Sequence, residues 1–344
     1  SRPVANAFEA MQGKAAGVDI VSNERPGEVG TINVRGVRSL SASNTPLYVV
    51  DGIPLMSNSG IETLNPQDIE SIDVLKDASA TAIYGSRGAN GVILVTTKSG
   101  KEGKMSLNYS GTVTIENLQD YSEMMNSAEY IDWRRWSYYY LNPSKYPRGD
   151  QPTKENDYEI FLGATDPTAW KNIEKGWAGG TWDGSRVPNT DWCDMVTQTG
   201  VTHEHTLSAS GGTDKMKGYA SIGYLDNEGT VKGQSYTRYT TKLSLDLKPT
   251  KWFNLGLNVN GTFSEQQYGS SASSVGQLIK GMPSNLYAAS TSLFPYASPY
   301  DEDGNRIEYP GGDDKVKNVM NEWNNSQNER RMFRAIGSLY AQLD

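Results

Sequence analysis

Two histidines stand two residues apart in the stretch Thr202–Thr206, and on an extended backbone His203 and His205 share one face. A metal held by that pair needs a third ligand, and none is evident nearby. Both are therefore expected at ordinary strand positions. In DEDGNRIE, Asp301, Asp303 and Asn305 have the alternate-oxygen spacing of a calcium loop. Gly304 falls at the fourth position instead of the sixth, however, and Gly312 stands where the twelfth-position acid belongs, so a hairpin tip is expected. GSRGANG, at Gly85–Gly91, lacks the GxxxxGK[ST] and GxGxxG spacings that cradle phosphate, and its glycines read as turn and close-packing devices. No Ser–His–Asp set, carboxylate pair or metal cluster stands out, so no catalytic residue, metal or cofactor is assigned. The strongest chemical signal is aromatic. Six of the eight tryptophans fall within residues 117–200, together with the run Tyr138–Tyr140. Trp133, Trp136, Tyr138, Tyr139, Trp177 and Trp182 could stack their faces on sugar rings, although an interfacial girdle or internal packing would use the same residue types.

Two kinds of segment position these residues. Over residues 1–100, helical spacing at Ala5–Ala16 is followed by short strands at Val18–Val21, Thr31–Val34 and Pro46–Val50, the last ending in an Asp51–Gly52 turn. Asp68 reads as the cap of a helical turn over Ile69–Ile72. Asp73–Lys76 reads as a strand, Ala78–Tyr84 as helix and Val92–Thr97 as a doubly covered strand. After the charged joint Gly100–Lys104 the pattern changes. Met105–Ile115 alternates strictly between apolar and polar, over a length that matches a membrane-crossing strand of about 9–11 residues. Thr202–Ser210, Lys215–Leu225, Tyr239–Lys248, Phe253–Ser264 and Phe333–Leu343 repeat it. Two long inserts, residues 117–200 and 266–329, interrupt the strands, the first with a helix over Ser127–Tyr140 capped by Asn126 or Ser127.

Composition narrows the class. A net charge of −8 over 344 residues opposes nucleic-acid binding. The single cysteine, Cys193, excludes an internal disulfide framework. No apolar run is long enough for a membrane-spanning helix, and a mean hydropathy of −0.59 does not discriminate between a soluble protein and a barrel whose strands are apolar on alternate residues only. No leader precedes Ser1, and the last strand runs into Asp344 without a turn, so the chain is expected to be a piece of a longer one.

The strings NVRG at Asn33–Gly36, NTPLYVVDGIPL at Asn44–Leu55 and DIESIDVLKDASATAIYGSRGANGVILVTTKSG at Asp68–Gly100 resemble the SusC/RagA-like TonB-dependent outer-membrane transporters of Bacteroidota. NTDWCDMVTQTG at Asn189–Gly200, LSASGG and YASIGYLDNEGTVKG extend the resemblance into the first barrel strands. The match is dense over residues 5–117 and good over 185–266, and it is weak in the two inserts.

The resemblance implies a transmembrane β-barrel, of about 22 strands in plugged transporters, with an N-terminal α+β plug domain inside its lumen. Residues 1–100 would be the plug, and residues 101–344 the first six or so barrel strands. It also implies import of a bulky nutrient, an oligosaccharide or alternatively a peptide. Energy would come from the proton-motive force through a TonB–ExbB–ExbD complex, and a SusD-like surface lipoprotein would act as lid. In such an arrangement Arg35 and Arg87 are candidates to pair with wall carboxylates, with Asp246 and Glu265 as partners. A rival from another class is a soluble, secreted β-rich glycan-binding module, and a second rival is a signalling receptor of the same architecture.

Overall fold

The computed structural model describes residues 18–21, 25–28, 30–34, 36, 44–55, 61–76, 82–119, 123–163, 167–269, 286–311, 316–320 and 328–343. The helix expected at Ala5–Ala16 and the first part of the one expected at Ala78–Tyr84 lie outside the described residues, as does Arg35.

Two small sheets come first. Strands β1 (Val18–Val21) and β2 (Thr31–Val34) form an antiparallel ribbon. Strands β3 (Leu47–Val50), β4 (Ile53–Pro54), β5 (Ile69–Leu75) and β6 (Val92–Thr97) form a mixed sheet in the order β4-β3-β6-β5, with β3 parallel to β6. Asp51 and Gly52 join β3 to β4 with φ of 48° and 82°. Two successive positive values are what a two-residue type I′ hairpin requires, and Asp-Gly is a favoured pair for it. Burial follows the central position of β3 and β6: Tyr48, Val50, Ile93 and Val95 join Ile20, Ile32, Leu55, Ile61 and Leu64 in one apolar core.

One element departs from the sequence expectation. Ile69–Ile72 is not helical but the first half of β5, paired antiparallel with β6. The helical turn lies just before it, a 3-10 turn over Pro66–Asp68 capped by Asn65, whose side chain accepts from Gln67 N–H at 2.9 Å. The Ile, Ile, Val spacing at residues 69, 72 and 74 suits either period, and pairing with the buried β6 decides it. The Ala-rich segment ends in a 3-10 stretch, Ala82–Gly88, broken at Gly85.

The second part is one antiparallel meander of six long strands in chain order: β7 (Gly103–Glu116), β8 (Gly200–Gly212), β9 (Met216–Glu228), β10 (Gln234–Thr250), β11 (Phe253–Tyr268) and β12 (Glu329–Leu343). They run 13 to 17 residues, about twice or more the ordinary globular length of 5–6. One face of this wall receives the smaller sheets. The other is exposed and apolar, with Leu107, Ile222, Tyr239, Leu243 and Phe333 among its residues. On that outer face one register row reads His205, Tyr224, Tyr239, Phe263, Phe333 across five strands. A second aromatic pair, Trp252 and Phe253, marks the opposite end. From Phe263 to Phe253 the chain runs about 33 Å at roughly 3.3 Å per residue. With strands tilted by about 40°, that spans about 25 Å of membrane, the height of a barrel's lipid-facing band between its aromatic girdles.

The β8–β9 and β10–β11 turns are short and lie at the end where residues 98–102 join the two parts. The inserts emerge at the other end. They pack into one unit. Helix α1 (Ser127–Leu141) is capped by Asn126, one of the two expected caps, in a capping box with Glu129, and is followed by α2 (Lys154–Ile160), α3 (Pro167–Glu174) and α4 (Trp192–Val196). The second insert contributes α5 (Leu286–Ser290). Leu286 and Leu293 pack with Trp192 and Val196, and Tyr296 packs with Ile131, Phe161 and Trp170. Trp192 Nε1 donates to the Phe294 carbonyl at 2.9 Å, fastening the first insert to the second.

Candidate functional site

The inner sheets meet the wall through polar contacts arranged by register row. Nearest the inserts, Gln266 Nε2 donates to the Pro26 carbonyl at 2.7 Å, and four successive rows follow below it, the first being Glu204, Leu225, Arg238, Ser264. Arg238 donates from Nη1 to the Leu64 carbonyl at 3.2 Å, and its Nη2 lies 3.8 Å from Glu204 Oε1. The next row is Thr206, Gly223, Thr240, Thr262. Thr262 donates to the Thr63 carbonyl at 2.9 Å, and Asn65 Nδ2 donates to Thr206 Oγ1 at 3.0 Å and approaches Thr240 Oγ1 at 3.4 Å. Asn65 reaches both threonines because Gly223 lies between them: a Cβ there would come within 2.5 Å of Asn65 Nδ2.

In the third row, Ser208, Ser221, Lys242 and Asn260, Ser221 Oγ donates to Asp68 Oδ1 at 2.6 Å. In the fourth, Ser210, Tyr219, Ser244 and Asn258, the Tyr219 hydroxyl donates to the same Asp68 oxygen at 2.8 Å. Asp68 thus turns to the wall, where two hydroxyls replace the water its carboxylate loses on burial.

Lys242 is the centre of the interface. It is 2% exposed, on a wall whose inner face is otherwise largely neutral and polar. Its ammonium donates to Thr97 Oγ1, to Asn258 Oδ1 at 3.0 Å and to Asn260 Oδ1 at 3.4 Å, and it lies 4.0 Å from Asp51 Oδ2. The Asp51 carboxylate accepts from Thr97 N–H (2.8 Å), Thr97 Oγ1–H (2.6 Å) and Asn258 Nδ2 (2.8 Å). A buried lysine needs this much company, since an unpaired buried charge costs several kcal/mol. The cavity left between Asn65, Asp68, Thr97 and Asn260 is only about 10 Å³, so the joint is closely packed. Toward the inserts a larger cavity of about 380 Å³ opens between Thr31, Tyr48 and Ile61 on one side and Tyr236, Gln266 and Arg330 on the other.

This contact set differs from the one expected from sequence. Arg87 stays within the inner unit, its Nη2 donating to the Leu55 carbonyl at 2.7 Å. Glu265 points away from it. Glu265 shares the outward face with Phe263 and lies 3.4 Å from Arg331 Nε. Asp246 does face inward, but accepts at 3.0 Å from the Tyr340 hydroxyl, whose ring lies across Gly256. Among the described residues, the carboxylates hydrogen-bonded to the wall are Asp51 and Asp68. Residue type alone does not mark Asn65, Thr97, Lys242 or Asn258 as site residues. The signal for Lys242 was its position, since it shares parity with Thr240 and Ser244 on an alternating strand.

The aromatic residues divide into two groups. Trp177 Nε1 donates to Asp157 Oδ2 at 2.9 Å, and Trp182 lies over the Arg135 guanidinium at 3.9 Å. Arg135 itself binds Asp157 through two hydrogen bonds of 2.9 and 2.6 Å, so both indoles cover a buried ion pair. Tyr138 packs edge-on against Tyr146. Trp133, Trp136 and Tyr140, by contrast, follow i, i+3, i+7 spacing along α1. Trp133 is 52% and Tyr140 74% exposed, Trp136 stacks on Tyr140 and meets Tyr139 edge-on, and Arg148 lies over its ring.

Other early candidates have ordinary roles. His205 Nδ1 and the Tyr109 hydroxyl are 2.8 Å apart on the outer face, and no cluster of three metal-ligating side chains occurs among the described residues. Asp301 folds its carboxylate onto Asp303 N–H and Asn305 N–H, closing a turn beneath the Tyr300–Arg306 bridge.

A plugged wall of this kind has known counterparts. The family model of the TonB-dependent receptor plug domain matches residues 1–92. TonB-dependent receptor P26 of Formosa agariphila is 31% identical across 98% of this chain and 30% of its own length. TonB-dependent receptor SusC of Bacteroides thetaiotaomicron is 31% identical across 86% of this chain and 26% of its own. The solved RagAB peptide transporter superposes over the whole chain and 38% of its own, with a TM-score of 0.74 and 27% identity. The chain belongs to the SusC/RagA-like TonB-dependent receptors. It spans between a quarter and a third of the length of these two curated relatives. The inner sheets are therefore the plug, the six strands are part of an outer-membrane barrel wall, and the short turns mark the periplasmic end. This placement displaces the soluble secreted module.

Proposed function

We propose that the whole protein imports a bulky nutrient, an oligosaccharide, across the outer membrane by TonB-dependent movement of the plug, and that it is a transporter, not an enzyme. The supporting observation is the row-by-row seating of plug on wall. A plug held by Arg238, Asn65, Asp68 and Lys242 contacts does not leave spontaneously, so passage needs work from outside. A TonB–ExbB–ExbD complex supplies that work from the proton-motive force with no bound cofactor, and a SusD-like lipoprotein closes the outer face. In this reading residues 1–100 are the plug, residues 101–344 open the barrel, and the inserts 117–200 and 266–329 meet the ligand. Trp133, Trp136 and Tyr139 are the assigned substrate contacts, since aromatic faces displace water from the C–H faces of sugars. Trp177, Trp182 and Tyr138 then support that surface from beneath. The 380 Å³ cavity above the plug has the size of a ligand subsite.

A second reading, peptide import, is favoured by the likeness to RagAB, which is described as a peptide importer. Uptake of labelled oligosaccharides and labelled peptides by cells with and without TonB separates the two. TonB-dependent oligosaccharide uptake supports the first reading, TonB-dependent peptide uptake the second, and uptake of either without TonB refutes energised gating.

A further inference from the structure

The first insert holds four arginines, and one of them differs from the rest. Arg135, Arg148 and Arg186 each have a carboxylate close by: Asp157 at 2.6 Å, Asp150 at 3.1 Å and Asp183 at 3.0 Å. Arg134 has no ion-pair partner among the described residues. Its guanidinium is enclosed by rings instead. The guanidinium carbon lies 5.8 Å from the centre of the Tyr138 ring, 5.6 Å from Phe161 and 5.7 Å from Phe294. The Tyr130 hydroxyl takes one hydrogen bond, and Nε–H is buried with no acceptor. Ring faces attract a cation but accept no strong hydrogen bond. Part of the planar donor fork, the feature by which arginine holds a carboxylate through two bonds, is therefore unfilled.

This cage is continuous with the exposed aromatic surface of α1. Tyr130 stands one turn before both Trp133 and Arg134, so the three share a helix face. The Tyr130 ring is 5.7 Å from that of Trp133 and 5.6 Å from that of Phe294. Arg134, Tyr138 and Phe294 are half-buried, whereas Phe161 is buried, so the guanidinium is approached past the first two rings. An open indole next to a cation suits a sugar ring that carries a carboxylate. The ring stacks on the indole, and the carboxylate meets the fork. A neutral sugar would leave the guanidinium unpaired, and a peptide carboxylate would fill the fork without needing the flat indole beside it.

We propose that Arg134 binds a carboxylate of the imported ligand, and that this ligand is an oligosaccharide containing uronic acid units. The inference rests on the reading of the inserts as the ligand-binding surface of an oligosaccharide importer, and narrows it to acidic sugars.

The test is isothermal titration calorimetry of the full-length receptor in detergent. The probes are galacturonate, glucuronate and mannuronate oligosaccharides, each of them also with its carboxyls reduced to alcohols, and a peptide with a free C-terminus. At least one acidic sugar should bind about 10- to 100-fold more tightly than its reduced form, the range expected for hydrogen bonds between charged groups. In R134Q that ratio should fall to within about threefold of one. Should R134Q open residues 117–200 to protease, R134K, which keeps the charge but loses the fork, serves instead, with a smaller fall in the same direction. Equal binding of every acidic sugar and its reduced form, or an undiminished ratio in the folded variant, would overturn the role of Arg134 while leaving oligosaccharide import in place. Binding of the peptide and of no sugar would overturn both.

Discussion

Replacing Lys242 by Met keeps the length of the side chain and removes its charge. Three hydrogen bonds disappear, to Thr97, Asn258 and Asn260, along with the approach to Asp51. A hydrogen bond to a charged group is worth about 1.5–3 kcal/mol net, and breaking one side of a buried charge set costs about 3–5 kcal/mol. Two effects reduce the loss. Met recovers the burial of the stem, and Asp51 is still stabilised by Thr97 N–H, Thr97 Oγ1–H and Asn258. The expected loss of plug seating is therefore about 2–4 kcal/mol, or roughly 30- to 1,000-fold in the closed-to-loosened ratio. Hydrogen-exchange mass spectrometry of the full-length receptor reads this directly, because the Thr97 amide donates to Asp51. The peptide covering β6 should exchange faster by that factor, while peptides of β8 and β9 away from the plug keep their protection. Asp51→Asn added to Lys242→Met should recover part of the loss by removing the orphaned charge. Exchange in β6 within about threefold of wild type, on the same energy scale, would refute the central role given to Lys242. Equal acceleration throughout the wall would point to barrel unfolding instead.

Gly223→Ala drives a methyl into Asn65 Nδ2 and Thr240 Oγ1 and should release the 63–68 segment, seen as faster proteolytic cleavage there with unaltered heat-modifiable mobility of the barrel. Asp157→Ala leaves the buried Arg135 guanidinium beneath Trp182 with only the exposed Asp132 carboxylate, 3.5 Å from Nη1, at a cost of about 3 kcal/mol; limited proteolysis should open residues 117–200 while the strands persist. Hydrogen bonds from Lys145 first, and from Tyr146, hold the Glu159 carboxyl below the ordinary value of 4.5. The stability this contributes to the insert is present in full above pH 4.5 and lost as pH falls through the depressed value; the protection of α2 amides relative to their intrinsic exchange rates should stay constant down to that pH and fall below it, and a fall at higher pH contradicts the assignment. A cysteine pair at positions 65 and 206, whose native side chains touch, should abolish TonB-dependent uptake when cross-linked and restore it on reduction; full uptake with the cross-link complete would refute plug movement at this contact.

Much of the wall was legible because membrane strands write their two faces into alternate residues. Met105–Ile115 and Phe253–Ser264 show the outer face one residue at a time, and the observed strands extend the same segments by a few residues. The same parity already separated Glu265, on the face of Phe263, from Lys242, on the face of Thr240. Charge alone, which ignores that parity, points instead to Arg87, Asp246 and Glu265. The seat itself was harder to see, because most of it is neutral: Asn65, Thr206, Ser221, Tyr219 and Asn258 are unremarkable residue types until two sheets bring them together across more than 140 positions of chain. The Ile69–Ile72 segment shows the opposite limit. Its spacing suits helix or strand, and only the neighbouring β6 selects the strand. In the inserts, composition revealed the aromatic cluster but not its division into indoles over Arg135 and Asp157 and rings open to solvent on α1.

The most direct test of a plug seated on the wall is ion conductance across planar bilayers. Full-length receptor should be silent, and receptor lacking residues 5–100 but retaining a folded barrel should pass a large, steady current. Equal conductance of the two would contradict closure of the barrel by the plug.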